Sequence, residues 1–185
     1  KTLGAVRDLM APYFYDNFYP EAHILRAIAY YYNCQWDRVI STLKEANDLI
    51  EPMTISLGEL LEQDYDADEW FSLFQKSLKA GKAGGEGLIP WPVVAQISAS
   101  HKYQKLMHFL KELEREQLFF TKDPDIARGH LGRDMSDYVD ENRSSYVRAI
   151  GKWIRSQINL NKNDLEGVLT RITIVDLETS TAETE

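Results

Sequence analysis

The chain has 185 residues, of which 44% are hydrophobic, 27% are charged and 11% are aromatic. This composition is typical of a folded globular protein and excludes a disordered chain, which lacks the large side chains whose burial offsets the entropy of ordering. The formal net charge of −8 argues against a nucleic-acid partner, because such binders need a basic surface to displace counterions from phosphate. No apolar run approaches the roughly 20 residues of a membrane span.

Helical spacing of apolar residues, at intervals of three and four, dominates the first 80 residues. The first segment follows one helix face up to Pro12, where a proline should end or kink a helix. Pro20 stands at the start of the next helix, a position that tolerates proline. Pro52 is predicted to close a later one. The helices predicted in this region are 21–33, 36–50, 56–63 and 67–78.

A glycine-rich connector separates the two halves of the chain. Four of the seven residues from Gly81 to Gly87 are glycine, which carries too much backbone entropy for the interior of a helix or strand. The connector lacks a phosphate-binding glycine pattern. The predicted organisation is a helical region at 1–80, a linker at 81–90, a pair of long helices at 91–180 and a disordered tail at 181–185.

Two long helical patterns fill the second half, and together they predict an antiparallel hairpin with a coiled-coil-like seam. The first pattern predicts one helix over 91–120. The second shifts phase near 159–163, and a short strand at 172–175 is an alternative reading of its β-branched residues. The predicted seam of the first helix is Tyr103, Leu106, Leu110, Leu113, Gln117 and Phe120. The predicted seam of the second is Met135, Val139, Asn142, Tyr146, Ala149, Trp153, Ser156 and Leu160, then Leu165, Val168, Ile172 and Val175.

The stretch 19–52 resembles a tetratricopeptide repeat, a helix–turn–helix unit of 34 residues. Ala27 is the small residue where the two helices approach, and Tyr30 is the large aromatic three residues later. Residues 34–37 resemble the turn between the helices, and Pro52 ends the unit. The inward face of the second helix would be Val39, Leu43 and Ala46. The sequence departs from the repeat pattern at His23, at Cys34, which stands in place of the turn glycine, and at Val39.

The resemblance implies a protein-binding role, because repeats of this family stack and bind partners in a concave groove. It also implies a piece of a longer solenoid, with 1–18 as part of a preceding repeat and 55–80 as a degenerate following pair. The candidate groove residues are Glu21, Ile24, Ile28, Tyr31 and Tyr32. An amphipathic or extended peptide would suit them. Alternatively, the third and fourth helices of the chain itself cover these side chains.

Sequence motifs for chemistry are weak. The acidic run that begins at Asp64 fails as a calcium loop, because Glu69 stands where the loop needs glycine. It is better read as a turn that caps the following helix. His101 and His108 are too far apart for the usual pair of zinc ligands, and Cys34 has no context of a catalytic thiol. We therefore predict no catalytic residue, no metal and no cofactor.

Three hypotheses of function follow. The first is an all-α, non-enzymatic scaffold that binds a protein partner with its repeat-like groove and projects the long hairpin as a spacer or docking arm. A complex at a bacterial cell envelope or in the periplasm would be consistent with this. The second is an assembly subunit that self-associates through the hairpin, so a homo-oligomer remains open. The third is an enzyme with a hidden polar pocket.

Overall fold

The computed structural model describes residues 19–85, 87–122 and 129–182, apart from the side chains of Phe120, Thr121 and Leu131. Every regular element in these ranges is helical, which confirms the all-α fold class. The predictions for 1–18 and for the break after Lys122 lie outside the described residues. The α-helices are α1 (Glu21–Tyr31), α2 (Trp36–Glu62), α3 (Ala67–Ala80), α4 (Trp91–Ala99), α5 (His101–Lys122) and α6 (His130–Ala182).

Helices α1 and α2 form an antiparallel pair around small and branched side chains. Ala27, Val39 and Ala46 are all fully buried, so the two helices lie close together along these positions. The turn between them contains Cys34, the one non-glycine residue with a positive φ (53°) in the described part of the chain. This is the position that the repeat pattern gives to glycine, because an L side chain is strained there.

We predict that Cys34→Gly raises the free energy of unfolding by about 1 kcal/mol, since it removes the left-handed strain. Urea denaturation followed by circular dichroism would measure it. Gln35→Gly is the matched control, because Gln35 has an ordinary φ of −101° and glycine there only adds backbone entropy to the unfolded chain. A loss of stability in both variants would show that Cys34 does not adopt a strained left-handed conformation.

Helix α2 continues through Pro52, so the prediction that this proline ends the helix is wrong. The residues predicted as a third helix (56–63) belong to α2, and 55–80 is not a second helix pair of the same design. Pro52 removes the amide that would bond the Asp48 carbonyl, but both residues are exposed, so water can bond that carbonyl. Ile50 and Leu57 on either side are fully buried. Their burial outweighs the local cost of the proline.

Helix α3 begins at the acidic turn, as predicted. The backbone N–H of Glu69 donates to Asp66 Oδ1 at 2.8 Å, and the N–H of Asp66 donates to Glu69 Oε2 at 2.7 Å. This reciprocal capping box satisfies two of the amides that a helix start leaves without partners. It also orients α3 so that Trp70 and Phe74, which are 1% and 0% exposed, enter the core.

The single helix predicted over 91–120 is wrong, because Ser100 divides it into α4 and α5. Ser100 has an extended ψ of 137°, and its Oγ accepts from the Tyr103 N–H at 3.3 Å. A serine in this conformation is a good helix N-cap, so it ends α4 and starts α5. The predicted inward face of α5 is confirmed at Tyr103 and Leu110, which are 6% and 4% exposed.

Helix α6 is the axis of the molecule: its 53 residues span about 80 Å at 1.5 Å per residue. Its first half lies antiparallel to α5, since the rings of Phe109 and Tyr146 are 6.3 Å apart and those of Tyr103 and Trp153 are 6.4 Å apart. Its second half lies beside α2, where a Cβ at Gly58 would be 3.5 Å from the Lys162 side chain. The helix predicted through 172–175 is confirmed and the alternative of a short strand there is wrong, because α6 continues to Ala182.

The predicted seam of α6 is correct at Val139, which is 3% exposed, but further along its first part it is wrong by about one residue. Ser156 and Leu160 are exposed and Tyr146 is 36% exposed, whereas Ile150 and Ile154 are fully buried. No phase shift is present near 159–163, because the step from Ile158 to Leu165 is seven residues, two helical turns, and the other intervals are three and four. These buried positions are Ile150, Ile154, Ile158, Leu165, Val168, Ile172, Val175 and Thr179.

One hydrophobic core joins both halves of the chain. It contains buried residues from all six α-helices, including Val39 of α2, Phe74 of α3 and Ile154 of α6. The predicted boundaries 1–80, 81–90, 91–180 and 181–185 stay predictions about cooperative units, and α6 extends to Ala182. No helix in the described ranges has both the length and the hydropathy to cross a membrane.

Candidate functional site

A cleft of about 500 Å³ lies at the end of the molecule where α1 meets the last turns of α6. Tyr31, at the C-terminal end of α1, forms one wall. Leu177, Glu178, Thr181 and Ala182 of α6 form the other. The cleft exists because α6 continues for 11 residues beyond Arg171 and so reaches the turn between α1 and α2. It therefore combines residues that are about 150 positions apart in the sequence.

Aromatic rings form the α1 side of the cleft. Tyr31 makes edge-to-face contacts with Tyr32 at 6.0 Å and with Trp36 at 5.2 Å between ring centroids. Tyr31 and Trp36 are half-buried, whereas Tyr32 is 81% exposed. Edge-to-face geometry is the favoured arrangement of aromatic pairs, so the cluster is held in place. It presents an amphipathic surface of the kind that is enriched in protein interfaces.

The α6 side of the cleft combines an apolar and an acidic side chain. Leu177 is 64% exposed, which is high for a leucine, and Glu178 is also exposed. The side chain of Thr181 donates to the Leu177 carbonyl at 2.9 Å. The Glu178 carboxylate favours a positive group nearby. A bound segment with an apolar residue beside a basic one would fit both features.

The five predicted groove residues do not share one surface. Ile24 is 5% exposed and contributes to the core, and Ile28 is half-buried against the same core. Glu21 is exposed at the opposite end of α1 from the cleft. Only Tyr31 lines the cleft, with Tyr32 exposed beside it. The chain segment that faces Tyr31 across the cleft is the end of α6.

Leu177 and Glu178 were missed because the sequence near the end of α6 is polar. A seven-residue interval in the sequence could have shown that the helix continues. Ile158, Leu165, Ile172 and Thr179 are each seven residues apart, and the last of them is fully buried. Such a repeat keeps one face against a partner helix, so the pattern predicts that the helix continues beyond Ile172 to Thr179.

Titratable groups with altered pKa values are structural. Burial, with the nearby Arg26 guanidinium, lowers the pKa of His23, while Glu45 acts in the opposite direction. Burial raises the pKa of Tyr103, although its hydroxyl accepts a hydrogen bond from Gln75 at 2.9 Å. These two residues are on α1 and α5, respectively. No group of three potential metal ligands occurs in the described ranges, and Cys34 is an exposed free thiol.

Comparisons with known proteins do not assign a class: no family model, curated protein or solved structure matches this chain.

Proposed function

We propose that the protein is a non-enzymatic scaffold that binds a partner polypeptide in the cleft between Tyr31 and Leu177. The observation that carries this proposal is the exposure of large side chains in and beside the cleft, with Leu177 64% exposed on one wall and Tyr32 81% exposed next to Tyr31. Exposed aromatic and aliphatic groups around a concave site are a common basis of peptide recognition. The tetratricopeptide resemblance is part of the proposal, and the close α1–α2 pair at Ala27 supports it.

The chemistry of the cleft favours a particular partner. Glu178 attracts a positive group, and the faces of Tyr31 and Tyr32 offer additional cation–π stabilisation. The net charge of −8 would accelerate the approach of a basic segment. We therefore propose a segment in which lysine or arginine is adjacent to an apolar side chain.

Both walls of the cleft provide a test. The chain would be used to capture partners, and the affinity of the captured partner would then be measured by calorimetry for each variant. Tyr31→Ala with Tyr32→Ala, and separately Leu177→Asp, should each weaken binding by at least about tenfold, because central interface residues carry most of the binding energy. Glu178→Lys should also weaken the binding of a basic partner, because it replaces an attractive charge with a repulsive one.

The matched control is Tyr138→Ala, which removes a 62% exposed tyrosine from a distant part of α6. Its affinity should equal that of the unchanged chain, and circular dichroism should be the same for all variants. Retention of the partner by both wall variants would rule out the cleft as the binding site.

Self-association through the long helices is a second candidate function. Its supporting observation is the exposure of large side chains on the arm formed by α5 and the first half of α6. Phe109 is 44% exposed, Met135 38% and Tyr138 62%. A two-helix arm cannot bury the apolar sides of both helices, so a further helix would be needed to cover them.

A further inference from the structure

One side of α6 carries a continuous row of uncharged side chains, most of which are exposed. We call it the outer stripe, and within 134–155 it consists of Met135, Tyr138, Asn142, Ser145, Tyr146, Ala149 and Trp153. At 100° per residue these positions occupy about 100° of the helix circumference. All nine charged residues between 133 and 155 fall outside that arc. In a chain with 27% charged residues, such a row marks a contact surface.

The outer stripe has the spacing of a helix-packing surface. Met135, Asn142 and Ala149 are seven residues apart, as are Tyr146 and Trp153, which is the interval that keeps one face against a partner helix. The fully buried Ile150 and Ile154 lie on the adjacent side of α6, which enters the core. Among the described residues, the outer stripe contacts the rest of the chain only along one edge, where Tyr146 meets Phe109 and Trp153 meets Tyr103.

The charged residues along one edge of the outer stripe are acidic in the N-terminal half of the stripe and basic in its C-terminal half. Asp134, Glu141, Arg148 and Arg155 follow one another at intervals of seven residues along its edge. The first two are acidic and the last two are basic, and all four are exposed. Glu141, Arg148 and Arg155 have no ion-pair partner among the described residues, whereas Asp134 contacts His130 of its own helix at 2.9 Å.

We infer that a second copy of this chain packs antiparallel against the outer stripe. In an antiparallel pair, a step of seven residues back along one helix is a step of seven residues forward along the other. When Glu141 is placed opposite Arg148 of the partner subunit, Asp134 therefore falls opposite Arg155 of the partner subunit. A parallel pair in register would instead place each charge next to its own copy, which is unfavourable.

This pairing is isologous and closes with two chains, since each copy uses the same surface. The two α6 helices lie in the middle, and α5 of each copy lies outside them, with Phe109 next to Tyr146 at 6.3 Å between rings. The assembly is a four-helix bundle built from two helix pairs. The inference rests on the second candidate function and adds to it the surface, the direction and the register.

Sedimentation equilibrium over a range of concentrations tests the surface. The unchanged chain should show a monomer–dimer equilibrium, and Ala149→Glu should raise its dissociation constant by about a hundredfold, because two charges are then buried by symmetry. Ser144→Glu, an exposed position on the opposite side of the same turns, is the matched control and should leave it unchanged. A single-chain mass at all concentrations up to about 1 mM would overturn the inference.

Charge reversal tests the direction. Glu141→Arg and Arg148→Glu should each weaken the dimer by about tenfold, because each places like charges together at two symmetric positions. An equimolar mixture of the two variants, or the double variant, should restore the dissociation constant, since opposite charges then meet again. If the dimer forms but the double variant stays as weak as the single ones, the antiparallel register is wrong while self-association itself stands.

The two proposed binding surfaces can fail separately. Leu177 and Tyr146 are about 45 Å apart along α6 at 1.5 Å per residue. Leu177→Asp should therefore leave the dimer intact, and Ala149→Glu should leave the captured partner bound. Loss of the dimer in Leu177→Asp would contradict the assignment of the dimer contact to the outer stripe.

Discussion

Gly151→Ala should lower the free energy of unfolding by about 2 to 3 kcal/mol, although alanine is normally the better helix residue by about 1 kcal/mol. A Cβ at Gly151 would lie 1.7 Å from the carbonyl oxygen of Ala67. That oxygen belongs to the backbone of the first turn of α3, so no side-chain rotation can relieve the clash. Helices α3 and α6 would have to separate, and Trp70 would lose part of its packing.

Gly167→Ala is the control, because a Cβ there would meet nothing within 4 Å on the same helix. It should raise the free energy of unfolding by about 0.5 to 1 kcal/mol through helix propensity alone. Urea titrations of both variants, followed by circular dichroism at 222 nm, give the comparison. An equal gain in both variants would mean that α3 does not approach α6 at Gly151.

Phe74→Ala should lower the free energy of unfolding by about 3 to 5 kcal/mol, the range for large core aromatic side chains. Phe74 is fully buried, and its ring lies 5.2 Å from that of Tyr103. This contact joins α3, in the first half of the chain, to α5 in the second half. The loss should therefore be shared by both halves if they unfold together.

Native-state hydrogen exchange distinguishes one cooperative unit from two. In Phe74→Ala, the most protected amides of α2 and of α6 should lose protection by the same amount. Phe109→Ala is the matched control, because its ring is 44% exposed and its loss should cost well under half as much. If α5 and the first half of α6 keep their protection in Phe74→Ala, the long helices form a separate unit, as the domain prediction from sequence states.

The sequence was sufficient where a local signal agreed with the final packing. The spacing of Tyr103 and Leu110 predicts the buried side of α5, because that helix has one apolar face. The acidic turn before Trp70 predicts the start of α3, since the capping box is completed within four residues. The tetratricopeptide resemblance placed Cys34 in the turn after the first helix, and this residue follows α1 with a φ of 53°.

Local signals were misleading where tertiary burial outweighs them. Pro52 is a strong helix breaker, yet the fully buried Ile50 and Leu57 hold both sides of it in one helix. The polar tail at 181–185 is predicted to be disordered, yet α6 extends to Ala182 and the nearby Thr179 is fully buried. In each case the deciding energy comes from contacts with residues far away in the sequence, which a window of neighbouring residues does not contain.

The sequence by itself determined that the chain is helical and that α6 carries helix-packing residues at regular intervals. Only the tertiary structure decided which of two adjacent rows on α6 is buried. The row with Tyr146 and Trp153 and the row with Ile150 and Ile154 differ by about 100° of rotation, and both are apolar enough to pack. The choice depends on Gly151, where the absence of a side chain lets α3 approach the isoleucine side. That approach leaves the outer stripe exposed.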